Sequence, residues 1–123
     1  NEGSISLMSY TIETVLAEKL ETLVSRGVTN TRPRDFYDIH ALWRLRGDEC
    51  DPATLRQAVE ATCARRESIT RMAQWEQVLN DVSSDQAMLA LWAKYAKKNP
   101  YATSIELARC CEDAKAILSS LSL

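Results

Sequence analysis

Glycine and proline are scarce in this sequence, three of each among 123 residues, and phenylalanine occurs once. Such a composition lacks the turn chemistry and the aromatic or β-branched enrichment on which sheet proteins depend, whereas Ala, Leu, Glu and Arg, all good helix formers, are plentiful. No apolar run approaches the roughly 20 residues needed to cross a bilayer, and no basic segment leads into an apolar signal-like stretch, so a cytoplasmic protein without membrane contact is expected. Histidine occurs once, as His40, and the four cysteines, Cys50, Cys63, Cys110 and Cys111, lack C-x-x-C spacing. A zinc site has no plausible ligand set here. Cys110 and Cys111 are neighbours on an expected helix, where adjacent side chains point about 100° apart, so reduced and mostly buried thiols are expected. The formal net charge of −2 argues against a strongly cationic nucleic-acid binder and leaves room for a local basic patch.

What is present is an ordinary composition for one soluble domain, 46% hydrophobic and 26% charged. The first ten residues, NEGSISLMSY, alternate weakly from Ile5 to Met8, as a strand left from a preceding sheet domain would. Residues 1–10 are therefore expected to be an extended remnant, and the chain a piece of something longer. Thr11 is a good N-cap for a helix to Arg26, with Gly27 as its stop. After the loop VTNTRP, Pro33 suits the first turn of a second helix carrying RDFYDIHALWRLR and ending near Gly47. Asp51 and Pro52 open a third helix through LRQAVEATCARR. Further helices fit ITRMAQWEQVLNDV, SDQAMLALWAKYAKKN and SIELARCCEDAKAILSSL, the last two separated at Asn99-Pro100. The expected fold is an all-α bundle of about five to six helices occupying residues 11–123.

Several charges sit where this periodicity calls for apolar residues. On the first helix Ile12, Val15, Leu16, Leu20 and Leu23 define the face to be buried, and Lys19 falls within it. Glu13 also falls on the inner arc, in the first turn, where the helix dipole favours an acid and solvent is near. On the second helix Phe36, Ile39, Leu42, Trp43 and Leu45 form the apolar arc, Tyr37, His40 and Arg44 lie opposite, and Asp35 and Asp38 fall in or beside the arc, pointing the same way. Burying unpaired charge costs several kcal/mol, and even paired charges are commonly no better for stability than apolar replacements. Two readings remain open. In one, Lys19 is bridged to Asp38 or Asp35 simply to fix the angle between two helices of a non-catalytic interaction module; in the other, the charges line a cleft in which a cation holds a phosphate and a carboxylate manages a metal or a proton.

The stretch YTIETVLAEKLETLVSRGVTNTRPRDFYDIHAL, residues 10–42, resembles the AEK…R…R-x-K-D-x-x-D region of the AbiEii/AbiGii nucleotidyltransferase toxins, and LRQAVEATCARRES resembles a following helix of that family. By this resemblance Lys19 matches the family's catalytic-pocket lysine, Asp35 the acid of its R-x-[KR]-D motif and Asp38 the second acid. Arg32 and Arg34 match the basic pair before them, and Arg26 the arginine that ends the AEK helix. Lys19, Asp35 and Asp38 are thus implied catalytic residues, with Arg26, Arg32 and Arg34 implied for substrate binding. The family also carries a G-S motif followed by a D-x-D pair on a sheet domain, an arrangement this sequence does not contain. The resemblance implies the C-terminal helical portion of an enzyme that moves nucleotides from NTP, with Mg, to tRNA or protein. It further implies a type IV toxin of abortive infection and phage defence, paired genetically with an antitoxin it need not touch. No cofactor and no metal ligand is expected for this portion alone.

Trp43, Trp75 and Trp92 could stack on bases but are read as packing residues. Arg65, Arg66 and Arg71, with Lys94, Lys97 and Lys98, could guide an RNA backbone, and solvated helix ends explain them equally well. His40 lacks a partner in the sequence pattern and is expected at the surface.

Overall fold

The structure, a computed structural model, describes residues 10–123. Of the extended remnant expected over residues 1–10, all but Tyr10 lies outside the described residues. Those described form seven α-helices and no strand: α1 (Ile12–Arg26), α2 (Arg34–Arg46), α3 (Pro52–Arg65), α4 (Ile69–Met72), α5 (Trp75–Ser84), α6 (Gln86–Lys98) and α7 (Leu107–Ser119). Short 3-10 turns follow α1, α2 and α6. The fold is all-α, and no described helix is long and apolar enough to cross a membrane.

The helix starts follow local chemistry. The Thr11 hydroxyl accepts the Thr14 N–H at 3.2 Å, Asp51 accepts that of Thr54 at 2.9 Å, and Asp85 accepts that of Met88 at 2.9 Å. Each cap satisfies a donor the helix leaves free, worth about 1 kcal/mol. At the far end of α1, Gly27 turns the chain at φ +49°, where its N–H reaches the Leu23 carbonyl. A Cβ there would be strained at this φ and would stand 2.8 Å from the end of the Arg71 guanidinium and 3.0 Å from Val78, so both would have to give way.

Helix α1 packs against α3 and α2, while α7 packs against α2 and α5. From α1 come Ile12, Leu16, Ala17, Leu20, Leu23 and Val24; from α7 come Leu107, Cys110, Cys111, Ala114, Ile117 and Leu118, all buried in one apolar cluster. Val15, expected on the inner face, is only half-buried. Trp92 is buried with its indole N–H on the Ile105 carbonyl at 2.9 Å, and Trp43 and Trp75 pack partly buried against the cluster, as packing residues should. All four cysteines are free; three are buried and Cys50 is half-buried. Burial pushes the Cys110 and Cys111 thiols up to about 12.

Three expectations about packing are corrected. The segment Ile69 to Val82 is two helices rather than one, because α4 lies on α1 and α3 whereas α5 lies on α7, and one straight rod cannot do both. Leu45 is 77% exposed: α7 covers α2 on its His40 side, so the buried face is Phe36, Ile39 and His40 and the last turn projects past its neighbours. Glu13 is buried instead of solvated, because the start of α3 meets it and the Asp51 N–H donates to its carboxylate at 2.7 Å.

Candidate functional site

The link between α1 and α2 is organised by Asn30, which is 1% exposed. Its side-chain oxygen accepts the Arg32 N–H at 2.7 Å, closing a local Asx turn, and its amide donates to Asp35 Oδ2 at 3.2 Å. One buried amide thereby orients both the arginine loop and the first acid of α2. Asp35 also lies 3.9 Å from the Arg26 guanidinium and 3.9 Å from that of Arg32. One turn further along α2, Asp38 accepts from Lys19 Nζ at 3.2 Å and sits 3.7 Å from Arg34 Nε. The six residues singled out from the sequence therefore form a set of two ion-pair groups one turn apart, Asp35 with Arg26 and Arg32 and Asp38 with Lys19 and Arg34, each bridging α1 to α2.

Beside this set is a cavity of about 240 Å³. Lys19, Arg26, Arg32 and Asp35 line it; Arg34 and Asp38 do not. The Lys19 side chain is about a third exposed and those of Arg26 and Arg32 about half or more, so they can turn toward an incoming anion at little packing cost.

Further residues complete the wall that the sequence reading did not assign to it. Arg66, just past the end of α3, lines the cavity together with Thr22 and Glu18. Its guanidinium donates to Glu21 at 2.6 Å, and the Ser25 hydroxyl donates to the other Glu21 oxygen at 2.6 Å. Glu21 is 4% exposed. Burial alone would push its carboxyl up; the hydrogen bonds led by Ser25 and Arg66, with the Arg66 charge, outweigh this and hold it below its ordinary value. Glu21 falls three residues before Val24 and four after Ala17, so the signal was an acid in an apolar arc. Asn30, two residues before an arginine in a loop, had only the weak signature of an Asx turn.

Other basic candidates are occupied otherwise. Arg71 Nε donates to the Val24 carbonyl at 3.1 Å, closing the end of α1, and Arg65 pairs with Glu18 at 3.4 Å. Lys94, Lys97 and Lys98 are exposed on α6. His40 is not at the surface: it is 7% exposed, and its Nδ1–H donates to Asp113 of α7 at 2.5 Å, because α7 packs on the side of α2 assigned to solvent.

A cleft with four cations against two carboxylates, open enough for them to reorient, suits a polyanion such as a chain of phosphates. Magnesium fits these residues poorly: Asp35 and Asp38 already face cations, and no cluster of three metal-ligating side chains exists among the described residues. No curated protein and no solved structure matches the chain. The model of the nucleotidyl transferase AbiEii toxin family, of type IV toxin–antitoxin systems, matches residues 1–119, nearly its whole length, and the chain belongs to that family, which implies a paired antitoxin.

Proposed function

We propose that this chain is the helical, phosphate-gripping part of a toxin that transfers a nucleotide from an NTP to an acceptor, of which tRNA ends and protein side chains are the candidate classes. The observation that carries this reading is the convergence of Lys19, Arg26, Arg32 and Arg66 on one cavity beside a fixed carboxylate. A triphosphate entering it meets Lys19 Nζ and the arginine forks, which offset its charge where charge builds on the leaving pyrophosphate. Lys19 must exchange Asp38 for phosphate, and at 3.2 Å between partly exposed groups that exchange is cheap. Asp35, held by Asn30, Arg26 and Arg32, sets the positions of the two arginines and offers a carboxylate oxygen to a proton at the cleft edge. Asp38 aims Lys19.

The Lys19–Asp38 bridge also favours a second reading, a non-catalytic interaction module in which the charges only fix the angle between α1 and α2. Transfer of labelled nucleotide by the toxin joined to a domain bearing the G-S and D-x-D motifs separates the two. Lys19→Ala and Asp35→Ala should each lower it by about 10²–10³-fold, as loss of a transition-state charge contact does, with helicity unchanged by circular dichroism. Full activity in both variants sinks the transfer reading. The present chain, lacking the D-x-D pair, should transfer nothing by itself, and incorporation of labelled nucleotide by it would overturn that.

A further inference from the structure

The His40–Asp113 pair is not used by the cleft, and stability explains it poorly. Two ionisable side chains, 9% and 12% exposed, are brought out of water to make a contact that apolar residues of similar size would make as well. The arrangement does something packing would not: it fixes the ring. An ionised carboxylate only accepts, so Nδ1 carries the hydrogen and Nε2 is left free to interact. Nε2 has no hydrogen-bond partner among the described residues, yet the only fully enclosed unpartnered side-chain atom among them is Ser68 Oγ. The second ring nitrogen is therefore not fully enclosed, and His40 borders the groove of about 620 Å³ between α2 and the start of α7.

Two cations share this groove. Arg109 is held 3.6 Å from the other oxygen of Asp113. Arg44, one turn after His40 on α2, is exposed and makes no ion pair among the described residues. The groove also meets the first turn of α7, whose cap residue Glu106 gives no side-chain hydrogen bond, and the Leu107 and Ala108 N–H groups find no acceptor among the described residues. Free amides at a helix start favour an anion. Glu106 and Glu112 line the groove too, but both are exposed and make no side-chain hydrogen bond or ion pair among the described residues, so they can turn to water as an anion enters.

We propose that this groove is a second anion site, separate from the Lys19 cleft, that takes a phosphate group: His40 Nε2 meets a phosphate hydroxyl while Arg44 and the α7 amides meet its charged oxygens. Free phosphate and a phosphate monoester share that chemistry. The site shares no residue with the proposed transfer site, so either can fail alone.

Because His40 is the only histidine, its ring signals in proton NMR report the site directly. Titration with inorganic phosphate should shift them saturably, while sodium chloride at matched ionic strength should not. Arg44→Ala, at an exposed position, should weaken binding at least about tenfold, the loss of one charge-assisted hydrogen bond. Arg32→Ala, which alters only the cleft, should leave the response unchanged. Adenosine monophosphate acting at lower concentration than inorganic phosphate would assign the site to esters, and the reverse order to the free anion. Equal shifts with chloride and phosphate, or an Arg44→Ala titration like that of the unaltered chain, would overturn the proposal.

Discussion

The Lys19 cleft and the His40 groove lie on different sides of α2, and they hold charge by different means. In the cleft, Lys19 and Asp38 meet at 3.2 Å with side chains 35% and 24% exposed, and several neighbouring cations compete for each acid. In the groove, His40 and Asp113 are 9% and 12% exposed and locked between two packed helices. Water screens the first pair and is nearly excluded from the second, so the cleft can be rearranged by a ligand whereas the groove presents one fixed ring.

The widest separation between them should appear on removing one partner from each. Asp113→Ala should cost about 3 kcal/mol in urea unfolding, because it strands a buried imidazole, whereas Lys19→Ala should cost less than about 1 kcal/mol. Equal losses would erase the distinction. Next in size, Gly27→Ala should destabilise by about 2 kcal/mol, since a side chain at φ +49° is strained and would displace Arg71 from the end of α1. A thermal melt checks this, and an unchanged midpoint would mean that the turn after α1 is loose enough to take a side chain.

Glu21 sharpens the comparison, being the one deeply buried acid behind the cleft. Its folded-state carboxyl titrates below the ordinary 4.5, so its contribution is present above that value and is lost as pH falls below it toward the folded-state value. Urea midpoints followed downward from neutral pH should drop over that window, and Glu21→Gln should flatten the drop. The smallest effect is kinetic. Cys50 should react first with a thiol reagent in the folded chain, and Cys110 and Cys111, buried and shifted to about 12, only on unfolding.

Much of the cleft was legible from the residues. Lys19, Asp35 and Asp38 stood out because charges in an apolar arc violate the helical period, and the structure pairs Asp38 with Lys19 and Arg34, and Asp35 with Arg26 and Arg32. Arg66 was visible only as one of several basic residues, since its partner Glu21 is 45 positions away. Helical periodicity ranks the faces of α2 by apolar content and so predicts His40 at the surface, on the side that carries Tyr37 and Arg44. Nothing within α2 announces that a carboxylate 73 residues later will cover it. The break between α4 and α5 is not legible for a similar reason, because residues 69–82 contain no glycine or proline and bend only to serve different neighbours.

By itself the sequence determined the all-α class, the capped starts at Thr11 and Asp51, the glycine turn after α1 and the presence of inward charge. Each of these depends on residues within about one helical turn of one another, where backbone geometry leaves few choices. Tertiary structure alone decided which face of α2 is covered, which acid each cation meets and where space remains between them. Those outcomes depend on how whole helices pack, and distant side chains become neighbours only after the apolar faces have closed.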